Sequence, residues 1–325
     1  LNDKKNHLYG PVPSRRLGLS CGIDIVPFKV CTLNCVYCQL GKTTRTTTER
    51  KKYVPIEPVL AELKEALSEG LSADYITIAG SGEPTLNSRL GELIDGIKNL
   101  TNIPVAVLTN GTLLYRQDVR DDCSKADVVM PSLDAGDEQT FQKINRPNSV
   151  ISVEMLISGL CEFRKDFTGR IWLEVFFVEG VNTADEQIAK IKDAIELIGP
   201  DKVHLNTAVR PTADLNITRL SAEKLQQIAD RLGPKSEVIA EFSPACSGIL
   251  SESKIEDVPG HHAVMNRKTQ ALLSMLKRRP CSLNDICSGL GINRNEAIKS
   301  ISNLQNRGII QTEEKDGTVF FKTSS

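Results

Sequence analysis

At 325 residues, 40% hydrophobic and 25% charged, the chain has an ordinary globular composition and enough length for one large domain plus a small one. Nine cysteines are too few for a disulfide-dense scaffold, no apolar run approaches the ~20 residues of a membrane span, and the opening LNDKKNHLYGPVPSRR lacks the apolar stretch of a secretory signal. Reduced thiols, no membrane and a cytoplasmic location are therefore expected, while a net charge of −1 hides an asymmetry: ten Lys/Arg against five Asp/Glu from Asn266 onward, thirty against thirty-six before it.

Across 21–242, short β-branched runs alternate with amphipathic segments. The runs predict strands at 22–27, 73–80, 104–110, 126–133, 170–178 and 202–209. The clearest helices between them are predicted at 57–69, 88–100, 152–165, 183–198 and 221–232. Start signals support several: Pro58 in a first turn, Thr183 before Asp185 and Glu186, Ser221 before Glu223. Six strand-then-helix units in succession require parallel neighbours, because a parallel pair needs a crossover long enough to hold a helix. The near-continuous apolar runs VFFV and ITIAG suit strands covered on both faces.

The expected fold is therefore α/β: a partial (βα)6 TIM-like barrel over 1–242, with its chemistry at the carboxyl ends of the strands. A Ser-, Pro- and Gly-rich linker follows at 243–265, then a small domain at 266–325. In that domain a helix at 266–278 ends before Pro280. Ser282 starts a second that Gly289 closes, a third covers 294–306, and Asp316-Gly317 marks a hairpin. Three helices and a hairpin resemble a winged helix. The basic excess there reports either an anionic partner or a solvated face.

KVCTLNCVYCQLG places Cys31, Cys35 and Cys38 with three and then two residues between them, short enough for one loop to wrap a single inorganic cluster. A closed zinc site needs four ligands, and no nearby His or fourth Cys completes the set. Three thiolates around a four-iron cluster leave one iron without a protein ligand, where substrate chemistry can occur. The other cysteines, Cys21, Cys123, Cys161, Cys246, Cys281 and Cys287, read as small buried hydrophobes. His261-His262 reads as an exposed loop and His204 as half-buried in its strand.

Cys31-Thr-Leu-Asn-Cys35-Val-Tyr37-Cys38 resembles the signature of the radical S-adenosylmethionine (radical SAM) superfamily. The resemblance implies a [4Fe-4S] cluster on the three cysteines, with the open iron chelating S-adenosyl-L-methionine and one electron cleaving it to methionine and a 5′-deoxyadenosyl radical. It places Tyr37 near the adenine. Gly80-Ser81-Gly82-Glu83-Pro84 resembles the family's Gly-Gly-Glu-Pro segment, which binds the cofactor's ammonium group. That role suits a group that only donates, met by backbone that glycine lets come close. Ser81 stands where glycine is frequent, and the alternative is a glycine-rich turn with Glu83 as a first-turn helix charge.

The same likeness makes polar groups at strand ends candidates for the ribose, adenine and carboxylate. Asn110, Ser132 and Asp134 are chosen, with Thr109, Gly111, Glu174, Asn206 and Arg210 behind them. Ser132 and Asp134 are the preferred ribose contacts, since alternate residues point the same way and a carboxylate accepts well from a diol. Helix capping is the competing role. No catalytic residue is assigned.

Tyr9 to Arg16 and the segment PSLDAGDEQTFQKINRP resemble a branch grouped with wyosine-type transfer-RNA-modifying Fe-S oxidoreductases, a likeness spanning 9–242. Wyosine enzymes carry an additional cluster, and only Cys21 lies upstream here, so the group does not fix the substrate. The basic loop 41–52, with Arg15, Arg16 and the positive tail, could steer a phosphate backbone, and Arg294, Lys299 and Arg307 have the charge of a recognition helix. Three functions are carried forward. The first is a radical SAM enzyme modifying RNA, with transfer RNA (tRNA) the leading candidate. The second is one acting on a peptide or small molecule, and both would need a reductant such as flavodoxin or ferredoxin. The third is an Fe-S redox-sensing DNA-binding regulator.

Overall fold

The computed structural model describes residues 7–240 and 261–324. Its contacts divide the chain into two compact units, Leu1–Ala240 and Glu241–Ser325. Cys246, most of the expected linker and the side chains of His261 and His262 lie outside the described residues.

In the larger unit, β1 (Leu8–Ser14) and β2 (Gly18–Ile23) form an antiparallel hairpin, followed by the short pair β3 (Val30–Cys31) and β4 (Arg45–Thr46). Then come α1 (Ile56–Ser68), β5 (Tyr75–Ile78), α2 (Leu90–Leu100), β6 (Val105–Leu108), α3 (Gln117–Cys123), β7 (Val128–Met130), α4 (Glu138–Ile144) and α5 (Val153–Asp166). The unit ends with β8 (Arg170–Phe177), α6 (Asp185–Ile198), β9 (Lys202–Thr207), α7 (Ala222–Leu232) and β10 (Ser236–Val238). The sheet runs β1-β2-β5-β6-β7-β8-β9-β10, parallel throughout apart from β1. Arg15, in the turn of the first hairpin, donates to the Ile239 carbonyl just past the last strand at 2.9 Å. A sheet whose first and last members meet in this way must curve, and the result is a partial barrel.

Alternation gives the sheet its two faces. Val105, Val107, Val129, Ile171, Leu173 and Val203 are buried on one. Ala106, Val128, Met130 and Trp172 fall on the other and pack with Leu17, Tyr75 and Leu108 into an apolar floor. Continuing in steps of two toward the carboxyl ends, that second face turns polar: Thr77 after Tyr75, Glu174 after Trp172, Asn206 after His204. Polar groups thus collect where the loops begin.

Two local differences from expectation have clear causes. The strand expected at 22–27 stops at Ile23, because Asp24 turns its carboxylate to the Ser81 amide and hydroxyl, at 3.1 and 2.6 Å. The strand β1 carries Pro11 and Pro13, which mask its strand character; it lies at the sheet edge, where a missing N–H is tolerated.

The second unit, taken by itself, comprises α8 (His261–Arg278), β11 (Cys281–Ser282), α9 (Leu283–Leu290), α10 (Arg294–Asn306), β12 (Ile310–Lys315) and β13 (Thr318–Thr323). The helix α8 begins five residues before the expected 266, so the His doublet is helical: from Gly260 no Gly or Pro interrupts the chain until Pro280. The helix α9 ends at Gly291, left-handed at φ 60°, rather than at Gly289. Asp316 and Gly317 both have positive φ, as a tight hairpin turn demands, and β11 adds a third strand to the sheet. Leu272, Met275, Leu276, Ile286, Ala297, Ile301 and Leu304 form the core.

A capping box opens α9. Ser282 Oγ accepts from the Asp285 amide at 3.1 Å, and Asp285 accepts from the Ser282 amide at 2.9 Å. Ser282→Ala is expected to lower the stability of this unit by about 1 kcal/mol, read by calorimetry of the full chain, while Ser282→Thr retains most of it.

Candidate active site

The cysteine loop leaves the carboxyl end of β2 and is pinned from several sides. The Asn34 and Val36 amides donate to the Asn145 and Ile144 carbonyls at 3.0 and 2.9 Å, and the Asn148 amide donates to the Thr32 carbonyl at 2.9 Å. Leu33 and Val36 are buried beneath it. Each of the three sulfurs receives a different side-chain donor: Asn110 Nδ2 to Cys31 and Asn145 Nδ2 to Cys35, both at 3.5 Å, and Lys29 Nζ to Cys38 at 3.2 Å. Burial pushes the Cys31 thiol up to about 12, with Glu83 adding to it. Burial likewise raises Cys35, helped by Asp134 and opposed by Asn145. A metal bound by these thiols would have to displace those protons. Three thiolates are one ligand short of a closed tetrahedral zinc site. Three thiols on one loop, each with its own donor, suit a cluster with one open iron instead.

The segment Gly80 to Pro84 follows β5 and clasps this loop. The Lys29 amide donates to the Ser81 carbonyl at 2.6 Å, and the Glu83 amide donates to the Val30 carbonyl at 3.0 Å. A Cβ on Gly82 would overlap the Val30 carbonyl oxygen, and one on Gly80 would overlap the Asp24 carboxylate. These glycines therefore let the cluster loop dock. Glu83 is buried and caps the short 3-10 turn (Pro84–Leu86), accepting from the Thr85 amide and hydroxyl at 3.1 and 2.6 Å. It also accepts from the Thr109 hydroxyl at 2.6 Å and the Asn110 amide at 2.8 Å, welding the end of β5 to that of β6. Burial raises its carboxyl, against those bonds. Asn110 in turn donates to Thr32 Oγ1 at 2.7 Å as well as to Cys31.

Asp134 is a buried junction. Its Oδ1 accepts from the Phe176 amide at 2.8 Å; its Oδ2 accepts from Asn145 Nδ2 at 2.6 Å and the Tyr37 hydroxyl at 2.5 Å. Burial pushes this carboxyl up to about 6 against those bonds. The Tyr37 ring stacks on Phe176 at 3.9 Å. Both oxygens of Asp134 are thus engaged with the cysteine loop and its supports. Ser132 is half-exposed and bridges to Glu174 along the strands. Of the residues expected to bind cofactor, Tyr37, Gly80, Ser81, Gly82, Asn110 and Ser132 are half-exposed, whereas Glu83 and Asp134 lie beneath them.

Glu174 accepts from Asn206 Nδ2 at 2.9 Å and pairs with Arg16. Burial would raise its carboxyl, but the Arg16 charge and the Asn206 bond hold it below the usual range. Arg16 is therefore neutralised within the barrel, and Arg15 spends one donor on the Ile239 carbonyl. Part of the basic loop is paired as well: Arg50 with Asp118 and Asp122, and Arg45 and Lys51 with the one Glu49. His204 is fully buried, with Nε2 2.8 Å from Glu237. Lys29, Asn145, Asp24 and Phe176 were not legible as site residues. Asn145 sits 110 positions from Cys35, and no local pattern announces such a pairing.

The Radical SAM superfamily profile matches residues 25–191. A protein of Brachyspira hyodysenteriae named GTPase Obg is 46% identical over 224 residues; the match covers 69% of this chain and 33% of that relative, so the chain spans about a third of its length. A UPF0026 protein of Synechocystis sp. is 38% identical over 205 residues, 63% of this chain and 76% of the relative. Among solved structures, a radical SAM methyltransferase from Sphaerobacter thermophilus superposes with a TM-score of 0.51 at 19% identity, covering 69% of this chain and 67% of that one, which establishes likeness of fold. Profile and fold together define an enzyme class that works with a [4Fe-4S] cluster and S-adenosyl-L-methionine. The chain belongs to the radical SAM superfamily, and its relatives there include the UPF0026 proteins.

Proposed function

We propose that Cys31, Cys35 and Cys38 hold the [4Fe-4S] cluster of a radical SAM enzyme that modifies an RNA, with tRNA the leading candidate. When bound, cluster and S-adenosyl-L-methionine supply a 5′-deoxyadenosyl radical for hydrogen abstraction, given one electron from a reductant such as flavodoxin or ferredoxin. The observation that carries this is the loop of three thiols, each receiving a separate side-chain donor. Gly80, Ser81 and Gly82 would receive the ammonium group with backbone carbonyls. Tyr37, Asn110 and Ser132 would hold the nucleoside. Asp134 would join them by exchanging the Tyr37 hydroxyl for a ribose hydroxyl, one O–H donor for another. Glu83 would act from behind, by fixing Asn110.

RNA is favoured by the second unit, which we read as winged-helix-like: Arg294, Lys299 and Arg307 are exposed on and just after α10. The pairing of Arg45, Arg50 and Lys51 in loop 41–52 with carboxylates favours the other reading, a peptide or small molecule. No helix among the described residues is long and apolar enough to cross a membrane. The test is anaerobic: reconstituted, reduced holoprotein is given S-adenosyl-L-methionine and assayed for 5′-deoxyadenosine. Formation of the product supports the radical reading, and its absence with a fully loaded cluster refutes it. Sequencing RNA that co-purifies at low salt separates the substrates. A specific, salt-sensitive RNA supports the first, and negligible retention supports the second.

A further inference from the structure

We propose that Lys29 is a fixed positive charge that raises the reduction potential of the cluster; the inference rests on the assignment of that cluster to Cys31, Cys35 and Cys38. Lys29 is only 3% exposed. Its Nζ donates to Cys38 Sγ at 3.2 Å and to the Gly41 carbonyl. Among the described residues it forms no ion pair with a carboxylate, unlike Lys190, Lys224 or Arg50. With no carboxylate beside it, the thiolates of a bound cluster would supply its counter-charge.

The backbone commits the residue to this place. Lys29 has φ 61°, a left-handed conformation that L residues with long side chains rarely adopt. Bonds on both sides hold it there. Its amide donates to the Ser81 carbonyl at 2.6 Å, and its carbonyl accepts from the Thr44 and Arg45 amides, both at 3.2 Å. Strain of this kind persists only where the surroundings over-determine it, and it gathers at functional sites. The effect here is to direct the side chain back under the loop, onto the last cysteine.

The electrostatic consequence follows from charge. Three thiolates leave a cubane net anionic, and an added electron deepens that charge, so a buried cation stabilises the reduced state more than the oxidised one. Asn110 and Asn145 donate to the other two sulfurs at longer range and are neutral. Lys29 is therefore the donor that sets potential through charge, as a positioning and tuning residue that need touch no substrate.

The test compares the full-length wild type with Lys29→Met and Lys29→Arg, reconstituted anaerobically and without S-adenosyl-L-methionine. Iron content and the cluster's absorption band are measured first. Redox titration monitored by electron paramagnetic resonance follows. Lys29→Met is expected to lower the equilibrium constant for one-electron reduction at least tenfold, about 59 mV toward more negative potential. Lys29→Arg keeps the charge and should stay within about threefold, less than half that shift. A fully loaded Lys29→Met with wild-type potential overturns the proposal. Should Lys29→Met fail to load, wild type labelled with 15N-lysine decides: its reduced cluster must show a nitrogen hyperfine coupling that Lys29→Arg lacks, and absence of the coupling in wild type overturns the proposal. A wild type that binds no iron at all refutes the cluster assignment instead, so the two failures are distinct.

Discussion

Cys35→Ala, prepared and reconstituted beside the wild type, should fall from about four irons per chain to nearly none, with complete loss of 5′-deoxyadenosine formation. The reason is ligand count. A cluster fastened at three corners has no spare protein ligand, and removing one thiolate opens a second iron to solvent. The substitution also leaves Asn145 Nδ2 without its sulfur, although Asp134 still holds it at 2.6 Å, so the fold of the loop should survive. Cys161→Ala is the control. That cysteine is partly exposed on α5, and its loss should leave iron content unchanged. Wild-type iron in Cys35→Ala would instead move the ligand set elsewhere.

Glu83→Ala should be the most damaging change outside the cysteines. It removes a buried acceptor used by the Asn110 amide, the Thr109 hydroxyl and both the amide and hydroxyl of Thr85. The hydroxyls can rotate to new partners, but the two backbone amides cannot. At about 1–3 kcal/mol for each of the two stranded amides, the loss should be roughly 2–6 kcal/mol, visible as a lower denaturant midpoint at unchanged m-value. Glu83→Gln keeps one carbonyl oxygen in place and should lose less than half as much. Because Asn110 also donates to Cys31, Glu83→Ala should bind iron more weakly than its stability alone would suggest. Equal iron content in Glu83→Ala and wild type at a temperature where both are folded would separate the carboxylate from the cluster site.

The parts of the site that were legible are the ones built from neighbours in sequence. Cys31, Cys35 and Cys38 lie within eight residues, and Gly80 to Glu83 within four, so spacing and residue type carry the chemistry without knowledge of the fold. The long apolar run of β8 and the amphipathic pattern of α7 were equally plain, because burial on one or both faces leaves a periodic trace. The elements that escaped leave little trace. The helices α3 and α4 have seven residues each, too short for a pattern to repeat, and β1 is interrupted by prolines that only an edge position permits.

Position alone also misjudged some charges. Arg15, Arg16 and Arg50 look like a basic surface when read in order, yet each is engaged by a partner from distant sequence: the Ile239 carbonyl, Glu174, and Asp118 with Asp122. Asp134, expected as a ribose contact at a strand end, is also the buried carboxylate to which Tyr37 and Asn145 donate, a role its position in sequence does not announce.

By itself, the amino-acid order determined the alternation of strands and helices, the family, and the crowding of three cysteines into one short loop, since all of these are local patterns of residue type and spacing. Only the tertiary structure decided what surrounds those sulfurs: the ammonium of Lys29 beneath Cys38, the carboxamides on Cys31 and Cys35, and the buried carboxylates that hold those carboxamides or the backbone beside them. Hydrogen bonds and charges act over a few ångströms in space, and curving a parallel sheet brings together residues as far apart along the chain as Cys35 and Asn145.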